Sequence, residues 1–192
     1  LMDVTVVSGV PGVGSSSVCR AARRRLDDGF ELINFGDVML EQAASRGLVE
    51  SRNDLAPLPV EETRLLQRRA GEYVARRAHM RSILLNTHLV VRTDQGYLPG
   101  MPPEVLADVD PNRLVLVEAG AETVADRRSA SDYREHRGGT VREVSFERDL
   151  NRAAATTYAA EAGIPIELVE NDAAVEEAGD ALAAVVGAGG GR

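Results

Sequence analysis

The run Gly9-Val10-Pro11-Gly12-Val13-Gly14-Ser15-Ser16 constrains this chain more than any other feature. A β-branched stretch, residues 3–8, leads into it. A stretch with helical character, residues 16–26, follows it. Gly9, Gly12 and Gly14 let the backbone curl tightly, so that successive N–H groups point inward and form an anion nest. The following helix adds the partial positive charge of its N-terminus. The run fits the phosphate-loop frame G-x-x-x-x-G-K-[ST] at every fixed position but one: Ser15 stands where the lysine belongs. No lysine elsewhere can substitute, because all 22 basic residues are arginine.

The loop therefore predicts binding of nucleotide phosphates by Gly9, Val10, Pro11, Gly12, Val13, Gly14, Ser15, Ser16 and Ser17. The Ser16 hydroxyl stands at the Mg²⁺-ligand position, and Ser17 can donate toward an α-phosphate. Loss of the lysine removes one charge-assisted hydrogen bond, worth ~1.5–3 kcal/mol. That corresponds to ~10–150-fold in affinity if the bond served binding alone. If the bond strengthens in the transition state, the loss falls on turnover instead.

Strands and helices alternate along the rest of the chain. Strands are expected at 3–8, 30–35, 82–86, 112–118 and 164–170, the third wholly apolar as in a buried parallel sheet. Helices are expected at 16–26, 36–46, 60–80, 104–109, 121–128, 145–162 and 173–186. Residues 48–59 and 87–103 read as irregular, and 129–139 as polar and without pattern. The Gly-rich end, 187–192, reads as disordered. Five strands, each followed by helix, predict an α/β, three-layer phosphate-loop fold around a five-stranded parallel sheet, with right-handed crossovers. At 192 residues, 1–192 reads as one domain.

The formal net charge of −8 argues against a nucleic-acid partner, which needs a basic face. No apolar run reaches the ~18 residues of a membrane span. No signal segment opens the chain, so a cytoplasmic location is expected. Cys19, the lone cysteine, reads as a small buried core residue. The three histidines are scattered and no Cys/His spacing suits a metal.

Four motifs recur in order: GVPGVG at 9–14, N-F-G-x-V-M at 34–39, T-H-x-x-x-R-T leading to G-Y-L-P-G-x-P over 87–102, and N-R-A-A-A-x-T-Y at 151–158. Through them the chain resembles the archaeal adenylate kinase family along its whole length. The resemblance implies a homotrimeric enzyme that moves a phosphoryl group from Mg·ATP to AMP and makes two ADP. It also implies an AMP clamp at about 34–70 and a short lid at 129–144. Arg52 then matches a clamp arginine and Arg92 a basic position after the T-H pair, both toward the AMP phosphate, with Gly36 in the second motif beside them. Arg127 and Arg128 match an R-R pair before the lid, Arg134 a lid arginine, and Arg152 the N-R of the following helix. These four would stabilise the transferring group. His88, just past a strand end, either packs and hydrogen-bonds locally or touches a nucleotide.

Departures from the family pattern collect at charged positions. Besides Ser15, Asn86 ends the third strand where the family has Asp. Ala56 falls where a second clamp arginine is expected, Tyr133 replaces a lid threonine, and His136 a lid arginine. An amide at position 86 can orient a water but cannot offset a metal's charge. Two alternatives stay open at this level: a nucleotide-binding protein with little or no kinase activity, and a kinase for another small acceptor.

Overall fold

A computed structural model describes residues 2–130 and 139–188. Five strands, β1 (Val4–Ser8), β2 (Phe30–Asn34), β3 (Ser82–Thr87), β6 (Arg113–Glu118) and β7 (Ile166–Glu170), form one sheet in the order β2-β3-β1-β6-β7. Every pairing in it is parallel. The central strands β1 and β3 are rich in Val, Ile and Leu and buried on both faces, because helices cover both sides. One face carries Val4, Val6, Ile83 and Leu85 with Val74, Val105 and Tyr158; the other carries Val7, Leu84, Val115 and Val117 with Val18, Val124 and Leu182. The helices are α1 (Ser15–Arg23), α2 (Phe35–Ser45), α3 (Val60–Ala78), α4 (Pro103–Val109), α5 (Ala121–Ser129), α6 (Val141–Ala162) and α7 (Val175–Gly187). The α/β fold around a five-stranded parallel sheet is thus as expected.

Several local readings change. Phe35 opens α2 rather than ending β2, because the Asn34 side chain accepts from Asp37 N at 3.2 Å and caps the helix. Residues 87–103 are not irregular: β4 (Val90–Thr93) and β5 (Gly96–Pro99) pair antiparallel as a hairpin. Its turn is held by Thr93 Oγ1, which accepts from Gln95 N at 3.2 Å and donates to Gly96 O at 2.9 Å. The helix expected from 145 starts at Val141, because Thr140 and Glu143 form a reciprocal capping box. Finally, α7 runs through Gly187, one residue into the segment expected to be without order, and 189–192 lie outside the described residues. The 48–59 connection also contains a 3-10 turn, Arg52–Leu55.

Cys19 is fully buried in α1, and burial pushes its thiol pKa up to about 12. Among the described residues no helix is long and apolar enough to cross a membrane.

Candidate active site

Parallel strands end together, so β1, β3, β6 and β7 deliver Ser8, Thr87, Glu118 and Glu170 to one edge of the sheet. Ligands bind at that edge in open α/β sheets. The loop after β1 lies there. Gly12 and Gly14 take φ of 87° and 91°, the left-handed region that an L side chain resists. Gly14 is thereby the N-cap of α1.

The loop's carbonyls are turned outward, and side chains hold them. His88 Nδ1 lies 2.8 Å from Gly9 O, so this nitrogen carries the proton, since a carbonyl only accepts. Arg128 Nε donates to Pro11 O at 2.7 Å. Val13 O accepts from Arg127 Nη1 at 3.1 Å and from Asn171 Nδ2 at 2.8 Å. With alternate carbonyls fixed outside, the N–H groups of Gly12, Gly14, Ser15 and Ser16 have no acceptor among the described residues. Four free donors at a helix N-terminus make an anion site without any lysine.

A cleft of about 350 Å³ runs from this nest to the start of α2. Val10, Pro11, Gly12, Gly14, Ser15 and Ser16 line one end, and Gly36 and Arg52 the other. His88, Arg127 and Arg128 line it as well, each tied to a carbonyl of the loop. The two halves of the sequence prediction, loop and clamp, thus face one space. Arg52 forms an ion pair with Asp37, in the first turn of α2. Val13 lies in the core and Ser17 on α1, where its hydroxyl accepts from Arg20 Nη2 at 3.0 Å.

Other arginines lie elsewhere. Arg92 is exposed and lines a smaller neighbouring recess with Gly9, Tyr97, Arg128, Glu147 and Asn151. Arg152 pairs with Glu118 at the end of β6, its Nε donating to Oε1 at 2.7 Å. Arg152 hydrogen bonding holds the Glu118 carboxyl below the ordinary carboxylate range, outweighing burial, and Arg148 adds a further bond at 3.2 Å. Arg134, Tyr133 and His136 lie outside the described residues. Of the expected lid, Ser129 ends α5, and Val141–Val144 belong to α6. Ala56 O accepts from Asp94 N in the hairpin turn at 3.4 Å, which links the clamp segment to the hairpin.

Asn86 Nδ2 donates to Ser16 Oγ at 2.9 Å. Asn86 Oδ1, buried beside it, has no hydrogen-bond partner among the described residues. Ser16 and Asn86 both line the cleft, and a hydroxyl and an amide oxygen are neutral groups of the kind that bind Mg²⁺ or its bound water. The described residues contain no cluster of three or more His, Cys, Asp or Glu that could hold a metal. A cation here would draw most of its ligands from phosphate and water.

Residues missed in the sequence complete the site. Asn171, directly after β7, grips Val13 O with its side chain, and its backbone carbonyl accepts from Arg127 Nη2 at 2.8 Å. A polar residue just past a strand end was the available signal. Glu147, on α6, accepts from Arg128 Nη2 at 2.6 Å and from Tyr97 Oη at 3.1 Å. Arg128 and Glu147 side chains are 5% and 10% exposed. Removal of either partner from such a pair strands a buried charge, at about 3–5 kcal/mol. The signal for Glu147 was its place with Asn151 and Tyr158 on one buried helical face of α6.

Comparison with known proteins agrees with this geometry. A family profile described as AAA domain matches residues 8–145. The adenylate kinase of Pyrococcus abyssi is 38% identical over 185 residues, 95% of this chain and 94% of that protein. The adenylate kinase of Methanopyrus kandleri is 40% identical over 178 residues, 91% of this chain and 93% of that protein. Among solved structures, the shikimate kinase of Bacteroides thetaiotaomicron superposes with a TM-score of 0.59 at 14% identity, covering 97% of this chain and 99% of that one. A sugar kinase of Janibacter sp. HTCC2649 gives 0.54 at 15% identity, covering 99% of this chain and 97% of that one. These two likenesses carry the fold alone. The sequence relatives carry the family: this chain belongs to the adenylate kinases, the nucleoside monophosphate kinases that the archaeal proteins represent.

Proposed function

We propose that this adenylate kinase moves the terminal phosphoryl group of ATP to the phosphate of AMP, giving two ADP. The observation that carries the reading is the single cleft that joins the phosphate loop to Gly36 and Arg52. Donor and acceptor phosphates can meet only if both ends open into one space. The free N–H groups of Gly12, Gly14, Ser15 and Ser16 hold the donor's β-phosphate. Arg52 releases Asp37 and takes the AMP phosphate with a planar fork that meets two oxygens at once. Arg92 and His88 complete the acceptor and loop side. Arg127, Arg128 and Arg134, with Arg152 once it leaves Glu118, neutralise charge on the transferring group, which is the main demand of phosphoryl transfer. No general base is required, since a phosphate oxygen is already a nucleophile. Ser16 holds Mg²⁺, with Asn86 orienting a bound water, and the cation offsets phosphate charge when bound. The clamp at 34–70 and the lid at 129–144 close to exclude water and spare ATP from hydrolysis.

We place the enzyme in the cytoplasm as a homotrimer. Ile166 and Leu168, 40% and 57% exposed on the edge strand β7, are apolar surface that such an assembly would cover. Sedimentation at micromolar concentration tests the trimer.

A coupled assay of ADP formation tests the activity. ADP should appear only with ATP, AMP and Mg²⁺ together, at two ADP per AMP consumed. ATP hydrolysis that ignores AMP, or ATP binding without turnover, would overturn the proposal.

A further inference from the structure

We infer that Glu147 is a positioning residue for the donor nucleotide: acting through Arg128, it fixes the phosphate loop in its anion-binding shape. The inference rests on the proposed use of that loop for ATP.

Three observations carry it. Arg128 is bound at two points, with Nε on Pro11 O at 2.7 Å and Nη2 on Glu147 Oε2 at 2.6 Å. The guanidinium is therefore a strut between α6 and the loop, and its free swing is removed. Glu147 is itself held: its other oxygen accepts from Tyr97 Oη at 3.1 Å, and Tyr97 stacks edge-on against Phe146 with centroids 5.9 Å apart. The strut thus begins on the β4–β5 hairpin and α6 and ends on the loop. Lastly, the strut needs the space that Gly12 leaves empty. A Cβ there would lie 2.7 Å from Arg128 Cγ.

The chemistry explains why this chain depends on such a strut. A phosphate loop with a lysine binds anions partly through a flexible cation that tolerates some misplacement of the backbone. With Ser15 at that position, donor binding relies on backbone N–H groups, whose hydrogen bonds weaken steeply with misalignment. Pro11 O faces outward only while a donor holds it there. Arg128 is that donor, and a carboxylate nine-tenths buried holds Arg128.

The test compares Glu147→Ala, Glu147→Gln and Tyr97→Phe with the wild type. Gln keeps an oxygen to accept from Arg128 and an amide to donate to Tyr97, so it preserves the strut without the charge. Wild-type Mg·ATP binding by titration and AMP-dependent ADP formation are measured first; failure of both sinks the proposed function, independently of Glu147. Given an active wild type, Glu147→Ala should weaken Mg·ATP binding about tenfold or more, leave KM for AMP within about twofold, and Gln should recover most of the loss. Tyr97→Phe, which removes one hydroxyl from a side chain at the surface and leaves folding intact, should weaken Mg·ATP binding about two- to threefold if Glu147→Ala proves too unstable to assay. The inference fails if Tyr97→Phe and Glu147→Gln both bind Mg·ATP as wild type while Glu147→Ala does so too. It also fails if KM for AMP rises in step with the loss of ATP binding, or if Gln is as damaging as Ala.

Discussion

Asn86 Nδ2 lies 2.9 Å from Ser16 Oγ and donates to it, tying the end of β3 to the first turn of α1. The pair puts a neutral amide where a carboxylate would face a phosphate-bound cation. Asn86→Asp should therefore reduce the Mg²⁺ concentration that half-saturates ADP formation, by about tenfold for a gain of ~1.4 kcal/mol. Without nucleotide the same change buries an unpaired charge, so melting temperature should fall, and Mg·ATP should restore it. A Mg²⁺ titration of initial rates checks this, and an unchanged requirement would count against Ser16 as the ligand.

Ser15 lines the cleft at the start of α1, with free loop N–H groups on either side. A lysine placed there reaches the phosphates from inside the nest. Ser15→Lys should tighten ATP binding by ~10–150-fold, the worth of one charge-assisted hydrogen bond of ~1.5–3 kcal/mol. If the new bond strengthens during transfer, kcat rises as well. Equal ATP affinity and rate in both proteins would contradict the account of the loop.

Arg52 is paired with Asp37, so the acceptor phosphate must displace a carboxylate to bind. Arg52→Ala should raise KM for AMP by ~10–150-fold with little change in KM for ATP. Asp37→Asn should lower KM for AMP, since the competing anion is gone. Steady-state kinetics with each nucleotide varied in turn separate the two ends of the cleft. A shift confined to ATP would place Arg52 on the wrong side of the reaction.

Glu118 links acid stability to the site. Its folded pKa is depressed, chiefly by the Arg152 hydrogen bond and despite burial. A depressed carboxylate pKa gives stability that is fully present above the unfolded value of about 4.3 and lost as pH falls through the folded value. Glu118→Gln should thus melt lower than wild type at pH 7 and lose less on acidification. Thermal melts from pH 7 down to pH 3 measure both curves. Parallel curves over that range would remove Glu118 from the acid transition.

The strand, loop and helix at 4–23 were legible because each depends on neighbours a few residues away. Val4–Ser8 alternates into a buried sheet by β-branching, and the glycines permit the turn without help from afar. The hairpin was missed because Pro99, Gly100 and Pro102 dominate the 87–103 segment, and a two-stranded ribbon tolerates a proline that a central strand would not. The start of α6 was missed because the lid expectation reached to 144 and hid the Thr140–Glu143 box.

The arginines show where reading stops. Their sequence positions marked them as phosphate ligands, yet a guanidinium goes to whichever carboxylate or carbonyl the fold brings near. Arg128 meets Pro11, 117 residues away, and Asn171 meets Val13, 158 residues away. Sequence alone determined the anion nest, the parallel sheet and the missing lysine, since these follow from local backbone freedom and hydrophobic period. Tertiary structure alone decided which side chains hold the nest open, because that depends on distant elements converging at the ends of the strands. The lost lysine therefore sits in a loop whose outward carbonyls are braced by His88, Arg127, Arg128 and Asn171.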